Sequence, residues 1–393
     1  MGPAHSVRRS LERVEEFTDA QVERARRYHR PLYAALLVDA ALGLGILAAL
    51  AFTALGDALY RPLEPWPSWA RTVAYAALVV ALPAIVRLPL SFWRGHVHER
   101  RWGFSTQGAG GWVSDRAKGL ALGVVLTALP VLAVVALART LPRTWPLVAA
   151  PGAAALVLVL AVAAPVVLEP VFNRFTPLDD AELARELRAL AERAAVPVRD
   201  VLVADASRRT RKENAYVSGL GRTRRVVLYD TLLTRADSRQ IRLVVAHELG
   251  HRRARHVAKA TILAMAGAAL GVASYWAFLR WEAIRDAAGV TGAGDPRATP
   301  LLLLLTGVLE LVALPALSAI SRRWERQADR FSLDLTGDRE AFERAHRRLA
   351  ESNLADLDPP RALYLLLFSH PTPPERLAAA ARRRADPGAT VAT

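Results

Sequence analysis

The chain has no cysteine in its 393 residues. Disulfides, thiol nucleophiles and thiolate metal ligands are therefore excluded, and any metal must be held by histidine and carboxylate. Acidic residues are also short: 37 Asp and Glu stand against 52 Lys and Arg, for a formal charge of +15. Nucleic acid is one partner for such a surplus, but the chain shows no binding module and no basic patch interleaved with aromatics. Arginine-rich faces lying against anionic lipid headgroups explain the charge without it, so no nucleic-acid partner is expected. Internal repeats and low-complexity segments are missing too. The N-terminal MGPAHSVRRSLERVEEF is too polar for a cleaved signal peptide, which leaves the first apolar run as the insertion signal.

Long apolar runs are what the chain does have. Residues 33–55, 72–93, 119–138, 146–168, 257–279 and 299–320 each approach the roughly 20-residue length that crosses a bilayer core. Asp39, Arg87, Lys259 and Glu310 are the few charges within them. Six transmembrane helices follow. Arg8, Arg9, Arg13, Arg24, Arg26, Arg27 and Arg30 precede the first span, whereas residues 56–70 hold only Arg61, so the N-terminus is expected in the cytoplasm. Counting spans puts the basic segments 94–118 and 169–256 and the C-terminal tail on that side as well. Residues 281–298 fall on the other side despite Arg285 and Arg297. The expected location is the inner or plasma membrane, crossed several times.

Residues 176–256 break the membrane pattern. TPLDDAELARELRALAERAAV starts at Asp179 and Asp180 and repeats apolar residues at helical spacing, which predicts an amphipathic surface helix. RDVLVADAS predicts a short strand, and NAYVSGLGRTRRVVLYDTLL an antiparallel hairpin around Gly219–Gly221. ADSRQIRLVVAHELGHRRARH then predicts a helix capped by Asp237 or Ser238. A strand feeding such a helix suits binding of an extended peptide by backbone pairing, with Asn214 and Ala215 at its start. An ordinary small sheet without a ligand fits those two residues equally well.

On a helix, His247 and His251 present both imidazoles to one face, close enough to share an ion. Glu248, one residue along, is placed to take a proton from a water at that ion. A chance His-Glu-x-x-His occurs in roughly one protein in a hundred of this composition, so the motif needs a partner elsewhere. His256 lies further on beside Arg255 and reads as a helix-end or lipid-headgroup contact. SRRWERQADRFSLDL, just after the last span, supplies Glu325 and Asp329 on one helix face. Glu325 as third ligand, with Asp329 as the acceptor that orients an imidazole such as that of His247, would complete a site for one Zn2+ per chain. The alternative is a solvated helix whose acids pair with Arg322, Arg323 and Arg326.

These residues resemble the M48 metallopeptidases, and within them the Ste24-type CAAX prenyl proteases. Beyond HELGH and ERQAD, the resemblance rests on GFST at 103–106, EPVFNRFTPLDDAEL at 169–183, DASRRTRKENAYVSGLGRTRRVVLYDTLL, and FSHPTPPERL at 368–377. It implies a zinc endopeptidase with His247, His251 and Glu325 as ligands and Glu248 as base. It also implies that His370 and Arg376 hold the substrate backbone or the developing oxyanion, and that the spans enclose an intramembrane chamber. Six spans are one fewer than the seven common in that family. The substrates implied are peptides or proteins, prenylated or membrane-associated ones included. The alternatives are a quality-control protease of the HtpX type, sharing the same zinc site, and a catalytically inactive membrane scaffold.

The expected fold is therefore a predominantly α-helical multi-span membrane protein with a small α+β zinc metalloprotease region at the cytoplasmic face. Its expected divisions are 1–168 with four spans, 169–256 with the His-Glu motif, 257–320 with two further spans, 321–380 with the third ligand, and 381–393 as a disordered tail.

Overall fold

The computed structural model describes residues 17–219 and 221–385. Arg8, Arg9, Arg13 and the last part of the expected tail lie outside them. The tail's first residues, 381–385, are not irregular: they complete the final helix, Pro373–Ala385.

Among the described residues, six helices are long and apolar enough to cross a membrane. Four precede the sheet: α1 (Asp19–Phe52), α2 (Ser68–Val86), α3 (Ala109–Thr140) and α4 (Trp145–Ala163), the last continuing through wider turns to Phe172. A capping box starts α1, where Thr18 N–H donates to Gln21 Oε1 at 2.7 Å and Gln21 N–H to Thr18 Oγ1 at 3.3 Å. The helix then runs longer than its apolar core, and its polar first turns pack onto the C-terminal region. There, Gln21 Nε2 donates to Glu351 at 2.6 Å and His29 Nε2 lies 2.7 Å from the Leu354 carbonyl. The start of α1 and the C-terminal region thus share one end of the bundle.

The non-membrane segment follows as β1 (Phe175–Pro177), α5 (Ala181–Arg193), β2 (Asp200–Ala204), β3 (Ala215–Ser218), β4 (Arg225–Tyr229) and α6 (Ser238–Arg253). The strands form one sheet in the order β1-β2-β4-β3, with β2 and β4 parallel and the outer pairs antiparallel. Asp180 and Asp237 cap α5 and α6, accepting from Leu183 N–H and Gln240 N–H. Leu187, Val226, Leu228, Leu232, Val245 and Leu249 are almost wholly buried between sheet and helices, a conventional water-driven core.

Next come α7 (His256–Phe278), α8 (Thr299–Thr336), α9 (Arg339–Ser352), α10 (Arg361–Leu367) and α11 (Pro373–Ala385). The boundary expected at 320/321 falls inside α8, which is a single helix of 38 residues. That is well beyond the length needed to span hydrocarbon, so its last turns project from the bilayer. Apolar side chains such as Leu270 and Val312 stay largely exposed on the spans, where lipid takes the place of water. At the end remote from the sheet, Arg297 pairs with Asp295 at 2.8 Å and reaches Asp57 at 3.4 Å. Of the two arginines in residues 281–298, Arg297 is thus charge-compensated and tied to the short helix after α1, Ala54–Tyr60.

Candidate metal centre

The packing of α6 decides where its histidines point. Leu243, Val245, Ala246 and Leu249 bury its other faces, which turns His247 and His251 toward α8. Gly250 permits the approach: a Cβ there would lie 3.1 Å from Ala328 Cα and from the Phe331 ring. Across this contact Glu325 is brought in, 5% exposed. His247 Nε2 lies 3.1 Å from His251 Nε2 and 3.3 Å from Glu325 Oε2, and His251 Nε2 lies 3.2 Å from Glu325 Oε1.

Donor atoms bound tetrahedrally at about 2.0–2.1 Å from one ion stand about 3.3 Å apart, so this triangle fits a small divalent cation. Two further observations agree. Glu325 Oε2 is buried with no hydrogen-bond partner beyond the 3.3 Å approach of His247 Nε2. Burial opposes charging His247, yet hydrogen bonds to Asp329 and Glu325 hold it up at about 9, so the pocket favours a positive charge at that point.

The outer ring nitrogens are held as well. His247 Nδ1 lies 2.9 Å from Asp329 Oδ1, while Asp329 is gripped bidentately by Arg376, with Nε at 2.8 Å. Arg376 has a partner that the sequence does not announce: its Nε and Nη2 donate to a buried carboxylate. The small exposure of both partners makes that pairing obligatory, since a lone charge in this position would be costly.

His256 too has partners that the sequence does not announce. The predicted helix does not run through it, because Arg255 takes a left-handed conformation, φ +57°, and breaks α6 from α7. The break folds His256 back, so that its Nδ1 lies 3.1 Å from His251 Nδ1 and its Nε2 2.9 Å from Gln327 Oε1. It stands at the start of α7, buried and stacked on Trp324 at 5.0 Å. If both ligand Nε2 lone pairs face the ion, the remaining protons follow one direction: His251 Nδ1–H donates to His256 Nδ1, and His256 Nε2–H donates to Gln327.

Glu248 sits beside the triangle on α6. Burial raises its carboxyl above the usual range, partly offset by the charges of His247 and His251. His370, on the turn before α11, places Nε2 3.4 Å from Glu325 Oε1 and Nδ1 2.7 Å from Ser369 Oγ.

Strand β3 is an edge of the sheet, beside α6. Tyr229 N–H donates to the Asn214 carbonyl, so the alternation of an antiparallel ladder turns the backbone groups of Ala215 and Val217 to the free edge. Two of those four groups are already engaged: Asn214 Oδ1 accepts from Ala215 N–H at 2.9 Å, and Arg252 donates to the Val217 carbonyl. Among the described residues, the Ala215 carbonyl and Val217 N–H have no such partner.

Gln327 is not singled out by the sequence, and His256 and Arg322 take partners other than those expected of them. For Arg322 a signal existed: Ser318, Arg322, Glu325 and Asp329 follow one another at spacings of four, three and four, which is one helix face. For His256 there was none, because nothing in RRARH announces a left-handed arginine.

Residues 177–384 match Peptidase family M48, and residues 5–174 match the CAAX prenyl protease N-terminal region, described as five membrane helices. Among the described residues four spans precede the sheet. The chain is 30% identical over 338 residues to the uncharacterized metalloprotease YhfN of Bacillus subtilis, covering 84% of this chain and 79% of that one. It is 29% identical to CAAX prenyl protease 1 of Saccharomyces cerevisiae, over 79% of this chain and 72% of that protein. The crystal structure of S. mikatae Ste24p is similar in fold, with a TM-score of 0.83 at 24% identity, over 93% of this chain and 90% of that one.

Proposed function

The chain belongs to peptidase family M48 and is a membrane metalloprotease, and on that premise we propose that zinc is its metal, His247, His251 and Glu325 its ligands, and Glu248 its base. The donor triangle of two imidazoles and one carboxylate, with Glu248 one residue along the helix, carries this reading. Zinc held by such a set supplies a Lewis acid that polarises a carbonyl and makes a water acidic near neutral pH.

The protein's own residues do the rest. Glu248 accepts a proton from the attacking water and returns it to the nitrogen of the leaving amine. The Ala215 carbonyl and Val217 N–H hold the peptide extended, while Asn214 closes the start of the strand. His370, with Nε2 directed at the triangle, donates to the oxygen that becomes negative when the scissile carbonyl is attacked. Asp329 orients His247, Arg376 holds Asp329, and His256 orients His251.

The active end faces the cytoplasm in this reading, supported by the basic flanks of α1 and the packing of that helix's start against the metal-bearing region. The substrates are peptides or proteins at the membrane. The CAAX prenyl proteases among its relatives point to prenylated C-termini; misfolded membrane proteins, the substrates of a quality-control protease of the HtpX type, are the competing class.

Glu248→Gln keeps the ligand set and removes the base. We expect about one zinc per chain to remain while peptide cleavage falls by about 10²–10⁴-fold. Cleavage at the wild-type rate would overturn the assignment. Comparing a farnesylated CAAX peptide, its unprenylated form and a misfolded membrane protein separates the substrate classes.

A further inference from the structure

Arg322 is buried on α8, 6% exposed, and forms none of the carboxylate pairs that an arginine beside ERQAD suggests. Its guanidinium turns to the end of α10 instead. One nitrogen, NH1, donates to the Tyr364 carbonyl at 3.1 Å and to the Phe368 carbonyl at 2.6 Å, and the group lies over the Tyr364 ring at 4.8 Å. One turn earlier on α8, Ser318 Oγ donates to the Leu366 carbonyl at 2.9 Å. The carbonyls where one helix ends are here collected by another helix, that of Tyr364 while it also accepts from Phe368 N–H at 3.3 Å.

The far side of the same turn is also tied down. Tyr364 O–H donates to Glu375 at 2.6 Å, and Glu375 accepts from Thr372 N–H at 3.0 Å. Residues 369–371, which carry His370, are thereby pinned on both sides. The pin at the front is on the same face of α8 as Glu325, one turn away.

We propose that Arg322 is a positioning residue for the hydrolytic reaction: by holding the carbonyls that end α10 to the face of α8 that bears Glu325, it sets where His370 stands relative to the metal. The inference deepens the proposed function and rests on the role given there to His370. A residue that acts only through His370 loses its influence when His370 is absent, which a purely structural residue does not.

The test is a double-mutant cycle on the full-length protein in detergent, with metal content and thermal midpoint read alongside kcat and KM on a quenched peptide. His370→Ala is expected to lower kcat by about a hundredfold. Arg322→Met should lower kcat by at least about tenfold with KM and metal content nearly unchanged, Arg322→Lys should recover part of that loss, and the double variant should be no slower than His370→Ala alone. Full activity of His370→Ala would overturn the function given to His370. Losses that multiply in the double variant, with His370→Ala impaired as expected, would overturn the role of Arg322 alone. Should Arg322→Met fail to fold, Ser318→Ala removes the neighbouring clamp without stranding a charge, and its loss of kcat must likewise vanish in the His370→Ala background.

Discussion

The two helices that meet at the metal centre are built to opposite rules. α6 is a short helix of the water-soluble kind, with Leu243, Val245 and Leu249 buried and Arg253 exposed. α8 reverses this over its length: Val308, Leu311 and Val312 are exposed, whereas Ser318, Arg322, Glu325, Asp329 and Ser332 are buried. The first helix is located by its apolar side, which packs against a sheet, and the second by a polar stripe whose members each find a partner. A metal site shared between them joins a part held by the hydrophobic effect to a part held by hydrogen bonds and ion pairs.

Removing a ligand from either side tests that division most severely. His251→Ala and Glu325→Ala should each reduce bound zinc from about one per chain to near none and abolish cleavage. Metal analysis that found Glu325→Ala fully loaded would leave the site to α6 alone. The polar stripe is next in effect. Asp329→Ala strands the Arg376 guanidinium in a buried position, and we expect a loss of about 3–5 kcal/mol in unfolding stability, with zinc bound about 10–100-fold more weakly. An unchanged melting transition and zinc affinity would show the stripe to be dispensable.

The contact between the two helices is probed by Gly250→Val. Its side chain would enter the 3.1 Å gap to Ala328 and cost about 1–3 kcal/mol, and it should weaken zinc binding while leaving the sheet's core intact. Titration of metal into the stripped protein measures this, and wild-type affinity would refute the close approach.

The smallest effect concerns His346, buried on α9 near Asp329. Burial, helped by the Arg376 charge, lowers it to about 3. Between the ordinary histidine value of about 6.5 and that value the unfolded chain binds a proton that the folded chain refuses, so stability falls as the pH drops through this window. His346→Gln should flatten the acid-side decline of the thermal midpoint relative to wild type. An unchanged slope would place the acid sensitivity elsewhere.

These opposite rules also explain what could be read beforehand. The six spans, the α5 helix, the hairpin and the capped start of α6 all follow from patterns local in sequence, because period and capping residues act within a turn or two. Glu325 and Asp329 were accessible because they recur at i and i+4 in a segment placed by the membrane count. What escaped was set by non-local partners. Arg376 has the composition of an oxyanion donor, and only the meeting of α11 with α8 shows that Asp329 is its partner. His256 needed a backbone conformation that arginine seldom adopts. The length of α8 was underestimated because ending an apolar run does not end a helix: SRRWERQADRF has every propensity to continue one.

The free edge of β3 has a quantitative consequence. A backbone hydrogen bond made in exchange for one to water is worth about 0.5–1.5 kcal/mol net, so two open groups contribute on the order of 1–3 kcal/mol, weaker than a millimolar grip. Such an edge aligns a chain without retaining it. Whatever holds a substrate through the time of cleavage is therefore contributed outside the sheet, and short soluble peptides should saturate this protein poorly however well they match the strand.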